Sequence, residues 1–444
     1  MLKNIFRRLK NNNLTPTNAK MGIIVSVVIA FIIFVLLSIS FNFTLSTDDY
    51  LFLSEVLSEE GFDFNILDKH FSRVPLWYTF NWISFNIFSW GQNFIGMYFF
   101  FVIHAIAFSL LSYYIVKSIR LDVTMLNFIL LTTLFVLYPT HYEILYWVTC
   151  MPYVLGLLVM AIALLSRRMI VKIIFLILSL MFYETYLIPS LMFLVFPIIY
   201  SENINRHIFK KILIVSVPWF FAVGLVLLFQ FLNSIFFSGF YPFPFEFNFI
   251  AIVNNIYFSV ISISTFHFYG FHIMPSLIFV SIFLFIILYL LITKNISLKK
   301  LEIILITCVV ATTIHWVLGY KAPRALYGAQ IYVNLILLLF LFLFTAKTNL
   351  YKYIFIMILF LLFINESIFI FKIKDSNYDV LYEHELVLVQ EMNNCQEPCN
   401  IKLIDLDKGL RQDWVLYSDH WERFAKWVKN KYSINKEIKF DITK

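Results

Sequence analysis

Charged residues are scarce in this sequence: aspartate, glutamate, lysine and arginine make up only 14% of its 444 residues. Hydrophobic residues make up 61% and aromatic residues 19%. A water-soluble domain of this size cannot bury so much apolar side chain in its own interior. The scarcity of charge therefore excludes an ordinary soluble protein and predicts that a lipid bilayer surrounds most of the chain.

Several motifs of soluble enzymes are also missing. The sequence contains no GxxxxGK[ST], HExxH, GxSxG or CxxC pattern, which disfavours a P-loop ATPase, a zincin, an α/β-hydrolase and a zinc ribbon. The net charge of +7 does not indicate nucleic-acid binding, because the basic residues occur in short clusters between apolar runs. We therefore expect no nucleic-acid partner.

Acidic residues are absent from residues 1–20, which are basic. The apolar run that follows is too long for the core of a signal peptide, so we interpret it as an uncleaved first span with a cytoplasmic amino terminus. Further apolar runs predict about 11 transmembrane helices in total. The runs cover residues 21–43, 95–116, 122–138, 149–165, 170–183, 186–200, 212–235, 274–293, 302–318, 329–346 and 353–371. Residues 248–268 are predicted to be a surface or re-entrant segment.

Lysine and arginine clusters recur in every second connection between the predicted spans, which is the positive-inside pattern. The remaining connections are predicted to face outward, and they hold nearly all the clustered acids, histidines and aromatics. They are the first outer loop (44–94), "YPTHYEILYWV", the turn at Glu184, residues 236–273, "GYKAPRALYG" and the tail from residue 372.

The sequence thus predicts an all-α polytopic membrane protein with a small α+β C-terminal unit outside the cytoplasm. Residues 1–20 form a cytoplasmic basic tail, residues 21–371 the transmembrane domain and residues 372–444 the C-terminal unit. This last segment is charged throughout, with a strand-like run at 401–406 and an amphipathic stretch around Trp421. In an oxidising compartment, Cys395 and Cys399 could form a disulfide.

Two adjacent carboxylates, Asp48 and Asp49, follow the first span closely. One interpretation is structural: acids favour the first turn of a short helix that ends at Gly61. The other is catalytic, because a carboxylate just outside the hydrocarbon can accept a proton from an incoming hydroxyl group. Asp48, nearer to the membrane, is then the preferred base, and Asp49 orients the hydroxyl or helps to bind a cation.

Five further outward residues are candidate substrate ligands. His141 and Glu143 share a face only if their loop is extended, and a solvated loop is the alternative. Glu184 is flanked by apolar runs, where an ionisable group is costly unless it is paired or faces water, although a hairpin tip would also explain it. Lys321 and Arg324 are cations on the basic-poor side, suited to phosphate oxygens or to anchoring at the interface.

Taken together, the "DDY" of the first outer loop, "HYEILYWV", "FYETYLIP" and the cation-bearing late loop resemble the GT-C superfamily of membrane glycosyltransferases. Within it, the chain is most similar to bacterial enzymes of the O-antigen glucosyltransferase type. The resemblance implies that Asp48 or Asp49 is the catalytic base and that Lys321 or Arg324 lies near a lipid phosphate.

The resemblance also implies an inverting transferase in the bacterial plasma (inner) membrane. Its donor would be a polyprenyl-phosphate sugar, and its acceptor a cell-surface glycan or a lipid-linked acceptor. Some relatives need a divalent cation such as Mg²⁺ or Mn²⁺, and the paired acids leave this open. The alternatives are a polysaccharide polymerase of the O-antigen type and a non-enzymatic flippase or transporter of lipid-linked sugars. A transporter should bury ionisable groups in mid-membrane.

Overall fold

The computed structural model describes residues 13–39, 75–87, 95–146, 150, 152–201, 206–236, 248–264, 273–317, 326–347, 351–396, 398–403 and 418–442. Within these residues nearly all regular structure is helical, and two short strands form the rest. This agrees with the predicted all-α class.

The described helices before residue 202 are α1 (Pro16–Ser38), α2 (Pro75–Ile87), α3 (Ile95–Ser118), α4 (Met125–Val136), α5 (Tyr142–Tyr146), α6 (Pro152–Leu165), α7 (Met169–Phe182) and α8 (Leu187–Ser201). Those after it are α9 (Arg206–Phe236), α10 (Phe249–Ser264), α11 (Ile273–Ile292), α12 (Leu298–Val317), α13 (Tyr327–Lys347), α14 (Tyr351–Asn394) and α15 (Ser418–Lys431). Two 3-10 turns, Pro139–His141 and Glu184–Tyr186, lie between α4 and α5 and between α7 and α8. The strands are β1 (Cys399–Leu403) and β2 (Ile438–Ile442).

Seven of the described helices are long and apolar enough to cross a membrane. They are α1, α3, α8 with the preceding 3-10 turn, α9, α11, α13 and the first part of α14. Three further apolar helices, α4, α6 and α7, are shorter. Large apolar side chains are exposed along α9, including Leu213, Phe221 and Leu227, as expected where lipid takes the place of water. The chain is therefore a multi-pass membrane protein.

The first helix begins before the apolar run that predicts it. Thr15 and Asn18 form a capping box: the Thr15 N–H donates to Asn18 Oδ1 at 2.7 Å, and the Asn18 N–H donates to Thr15 Oγ1 at 3.4 Å. Pro16 follows at the first helical position, where its missing N–H costs nothing. Helix α1 thus starts within the predicted cytoplasmic tail.

The chain reverses at the Glu184–Tyr186 turn. Tyr183 is extended (φ −167°, ψ 140°) and ends α7. The Tyr186 hydroxyl donates to the Tyr153 carbonyl at the start of α6, whereas the Tyr114 hydroxyl, near the end of α3, donates to the Phe193 carbonyl of α8 at 3.0 Å. Helix α8 therefore runs back toward the end of the bundle where α3 finishes.

Helix α13 lies in the centre of the bundle. It contacts α3, α4, α8, α10, α11 and α12, and 78% of its most apolar stretch is buried. Aromatic rings fill the space around it: Phe193 of α8 meets Tyr332 edge-on at 4.9 Å, and Phe128 of α4 stacks on Phe342 at 6.3 Å between centroids.

Contacts at one end of the bundle join several basic connections. The Leu14 N–H donates to the Val123 carbonyl at 2.8 Å, which ties the start of α1 to the α3–α4 connection. Lys300 Nζ lies 5.1 Å from the ring centroid of Tyr200, in the last turn of α8. We call this the lysine end. Helix α4 begins at the lysine end and finishes beside the Pro139–His141 turn. The two 3-10 turns therefore lie at the opposite end of the bundle, which we call the turn end.

Helix α14 is 44 residues long and continues unbroken to Asn394. The predicted domain boundary at residue 372 therefore lies inside a helix. Lys436 binds the end of this helix, where Nζ donates to the carbonyls of Met392 (3.2 Å), Asn393 (2.7 Å) and Cys395 (3.0 Å). These carbonyls have no partner within the helix, so Lys436 acts as its cap.

Further contacts attach the C-terminal elements to α14. Strands β1 and β2 pair in parallel from Cys399 with Ile438 to Leu403 with Ile442, and α15 packs against both α14 and β2. Glu385 of α14 is buried and accepts hydrogen bonds from Lys431 Nζ at 2.6 Å and the Tyr432 hydroxyl at 2.5 Å. Cys395 and Cys399 are joined by a disulfide.

Candidate functional site

Two histidines meet in the interior near the turn end. His104 lies on α3, and His141 ends the Pro139–His141 turn; both are fully buried, and their ring centroids are 4.8 Å apart. Pro139 opens the turn and presets its backbone, so the sequence after α4 bends His141 back into the bundle. The solvated loop considered for His141 is therefore wrong.

Each histidine is bound by a residue of α13. His104 Nδ1 lies 2.6 Å from the Tyr327 hydroxyl, and Asn334 Nδ2 donates to His141 Nε2 at 2.8 Å. Burial, and after it the neighbouring His104, lower the pKa of His141.

The Glu184–Tyr186 turn lies against the start of α13. The Gly328 N–H donates to Thr185 Oγ1 at 3.0 Å, so Thr185 satisfies one of the unpaired N–H groups of this helix end. A Cβ atom at Gly328 would be 2.3 Å from the Thr185 carbonyl oxygen. The Tyr186 and Tyr327 rings are 6.4 Å apart and nearly perpendicular. The close approach of turn and helix therefore requires glycine at 328.

Part of the predicted first outer loop is at the same end. Helix α2 packs against α6 and α7, and Phe80 lies 5.2 Å from Phe182, two residues before Glu184. The Ser38 hydroxyl at the end of α1 donates to the Tyr98 hydroxyl near the start of α3 at 3.1 Å. The turn end therefore collects parts of four segments that the sequence predicts to face outward.

The predicted site residues are described to different extents. Asp48, Asp49, Lys321 and Arg324 lie outside the described residues. Glu143 lies in α5, and because this segment is helical, the extended loop in which His141 and Glu143 would share a face does not form. Glu184 opens its 3-10 turn and is half-buried. The structure brings the His141 turn and the Glu184 turn together around the start of α13.

Sequence reasoning missed the interior polar residues. His104, Tyr327 and Asn334 hold the His141 turn, and Glu366 is fully buried in α14. The signal for Glu366 was present, since a single acid in the apolar stretch "FINESIFIF" is a membrane-embedded ionisable group.

Within the described part of the chain, no group of three or more histidine, cysteine, aspartate or glutamate residues is arranged to hold a metal ion. Asp48 and Asp49, whose pairing leaves a divalent cation such as Mg²⁺ or Mn²⁺ open, lie outside this part of the chain.

Comparison with known proteins gives no match: no protein-family model, no curated protein and no solved structure corresponds to this chain.

Proposed function

We propose that the protein is a GT-C type membrane glycosyltransferase. It would transfer a sugar from a polyprenyl-phosphate donor to a cell-surface glycan or lipid-linked acceptor at the outer face of a bacterial plasma membrane. The observation that supports this most is the meeting of α2, the His141 turn, the Glu184 turn and the start of α13 at one end of the bundle.

Two of the residues that would perform the chemistry, Lys321 and Arg324, come shortly before the start of α13 in the chain. Arg324 is three residues before Tyr327 in the sequence, and a chain spans at most about 3.3–3.6 Å per residue, so in this proposal Arg324 would lie near the turn end. Lys321 lies only three residues further away in sequence. Two cations at this end would stabilise the phosphate that departs with the polyprenyl chain.

In the proposed reaction, Asp48 takes the proton of the acceptor hydroxyl, with Asp49 orienting that group. The hydroxyl oxygen bonds to the anomeric carbon as the bond from that carbon to the phosphate oxygen breaks. Direct displacement inverts the anomeric centre and releases polyprenyl phosphate. Glu143 and Glu184 would contact sugar hydroxyls. His141, being fully buried, would act as a positioning residue rather than a substrate ligand.

The topology that this function needs has an odd number of crossings. The seven long helices, the three shorter ones and α12 would give about 11 spans, with α10 at the surface. The amino terminus and the lysine end would then face the cytoplasm. The Cys395–Cys399 disulfide supports an extracytoplasmic C-terminal unit, because disulfides persist in oxidising compartments.

A transfer assay tests the proposal. Purified protein in detergent should consume a polyprenyl-phosphate sugar when an acceptor glycan is added, and Asp48→Asn should abolish turnover. Asp49→Asn is tested separately, and His207→Gln, on α9 away from the turn end, serves as a control. Activity that survives both aspartate changes would refute the catalytic assignment. Failure of externally added thiol reagents to reach cysteines placed in residues 44–50 would refute the sidedness.

A second candidate is a transporter of lipid-linked sugars, which the buried Glu366 favours. Movement of a labelled lipid-linked sugar across proteoliposomes without formation of a new glycosidic bond would identify this function instead.

A further inference from the structure

Helices α7 and α9 pack side by side and run in the same direction. Helix α7 ends at the Glu184 turn, and α9 follows the end of α8, so both helices begin at the lysine end. Trp219 Nε1 of α9 donates to the Leu187 carbonyl at 2.8 Å, and Leu187 comes directly after the Glu184–Tyr186 turn. The part of α9 before Trp219, about 20 Å long, therefore lies alongside the 14 residues of α7.

Cations lie at the start of both helices. Arg167 and Arg168 precede α7, Lys172 lies in its first turn, and Lys210 lies near the start of α9. Lys172 and Lys210 are each about 5–6 Å along their helix from its first residue, so they are at nearly the same depth. Residues 166–172 contain three cations and no acid, and residues 202–211 contain three cations and one acid.

These cations are accessible to an external partner. The side chains of Arg167, Arg168 and Lys210 are exposed, and none of them forms an ion pair with another described residue. The described acids of the lysine end are Asp122, in the α3–α4 connection, and Glu302, on α12, which packs against α8, α10 and α13. The positive charge at the start of α7 and α9 is therefore not neutralised within the part of the chain that the structure describes.

Apolar side chains lie beside the cations. Ile170 and Ile174 are one turn apart on α7, Phe209 and Leu213 are one turn apart on α9, and all four are between 47% and 72% exposed. Residues four apart lie on one face of a helix, so each helix presents an apolar stripe that begins at the level of its cations. Exposure of this extent is expected toward acyl chains rather than toward water.

A phospholipid has the same arrangement, with a phosphate at the membrane surface and acyl chains below it. Arginine donates several N–H groups to phosphate oxygens, and lysine attracts them as a compact charge. In a zwitterionic headgroup, an ammonium group offsets the phosphate and is repelled by neighbouring cations. An anionic headgroup such as phosphatidylglycerol has no ammonium group, so surplus positive charge favours it.

We propose that the start of α7 and α9 is a binding site for an anionic phospholipid of the leaflet at the lysine end. Arg167, Arg168, Lys172 and Lys210 bind the phosphate, and the acyl chains lie along the apolar stripes of the two helices. We call this surface the α7–α9 lipid site. The inference does not rest on glycosyl transfer and holds equally for a transporter.

Native mass spectrometry of the full-length protein in detergent tests the selectivity. With equal amounts of phosphatidylglycerol and phosphatidylcholine added, the wild-type protein should retain mainly phosphatidylglycerol. The triple variant Arg167→Gln/Arg168→Gln/Lys210→Gln should lower the ratio of the two bound lipids at least about tenfold, because three cations near the phosphate are lost. A wild-type protein that binds both lipids equally would overturn the proposal.

A matched control separates a site from a diffuse attraction of the whole basic surface. Lys117→Gln/Lys294→Gln/Lys299→Gln removes the same charge from other exposed positions of the lysine end, and it should keep the ratio within about twofold of the wild-type value. An equal loss of selectivity in both triple variants would refute the α7–α9 lipid site.

Thermal unfolding in detergent separates a lipid site from a site for free phosphate. Phosphatidylglycerol should raise the melting temperature of the wild-type protein more than phosphatidylcholine does, and Arg167→Lys/Arg168→Lys, which keeps the charge, should retain most of this shift. Glycerol 3-phosphate, which has the phosphate without acyl chains, should have no effect at the same concentration. Equal stabilisation by glycerol 3-phosphate would identify a free-anion site and contradict the proposal.

Discussion

Helices α13 and α9 are both apolar enough to cross a membrane, yet they have opposite surroundings. In α13, 78% of the most apolar stretch is buried by protein, whereas in α9 the share is 28%. Helix α13 carries Gln330 and Asn334 and begins with the close contact at Gly328. In α9, a Cβ atom added at Gly224 would meet no atom within 4 Å among the described residues beyond its own turn of helix.

Apolar content therefore predicts that a helix lies in the membrane, but not whether lipid or protein surrounds it. Lipid tails and protein cores are equally apolar, so a leucine fits either. What marks the central helix is its small and polar residues, which permit close backbone approach and interhelical hydrogen bonds. Substitutions at matched positions of α13 and α9 should therefore have very different effects.

The largest difference is expected for glycine. Gly328→Ala places a methyl group against backbone atoms of Thr185 that cannot rotate away, so we expect a loss of about 3 kcal/mol of stability. Gly224→Ala should be neutral or slightly stabilising, because alanine favours helix. Thermal unfolding in detergent measures both. Equal melting temperatures would show that the Glu184–Tyr186 turn does not contact α13 this closely.

The next largest difference in stability is expected for a pair of leucines. Leu339→Ala removes a fully buried side chain of α13 and leaves a cavity, at a cost of about 2 kcal/mol. Leu227 of α9 is 57% exposed, and its truncation should cost less than about 0.5 kcal/mol. Denaturation of the two variants in parallel makes the comparison; a similar loss in both would contradict the central position of α13.

The hydrogen bond to His141 should contribute less. Asn334→Leu leaves His141 Nε2 buried without its donor, which should cost about 1.5 kcal/mol. Adding His141→Phe should recover part of this loss, because both polar groups are then gone. A double-mutant cycle on unfolding free energies measures the coupling, and strict additivity would argue against the contact.

The smallest effect is expected for a single hydroxyl group. Tyr327→Phe removes the hydrogen bond to His104 while keeping the ring, at a cost of about 1 kcal/mol. Tyr257→Phe on α10, where the side chain is 67% exposed, is the control and should be silent. If Tyr257→Phe lowers the free energy of unfolding as much as Tyr327→Phe does, the His104–Tyr327 hydrogen bond makes no specific contribution to stability.

Much of the helical architecture is predictable from the sequence, because runs of apolar residues dictate where a chain can lie in lipid. The run at 186–200 corresponds to α8, and the run at 274–293 to α11. The run at 353–371, in contrast, gives no sign that α14 continues to Asn394. Outside the bilayer, a polar helix and a polar loop have similarly low hydropathy, so hydropathy does not distinguish them. The end of that helix is capped by Lys436, which lies 43 residues further along the chain than Asn393.

The candidate site is less predictable. The sequence places His141 in an outward loop, but its burial depends on Asn334, 193 residues away. Such a pairing leaves no local pattern, because neither residue is unusual among its neighbours. Glu366 is the exception, since an acid in an apolar run is visible without any structure.

The continuous α14 extends far beyond the part of it that can lie in a membrane. At 1.5 Å per residue its 44 residues span about 66 Å, roughly twice the hydrocarbon thickness of a bilayer. Lys436 and Glu385 join its far end to the end of α15 and to the connection between α15 and β2. A small tilt of the membrane half would therefore move the C-terminal unit through a larger distance than the membrane half itself moves.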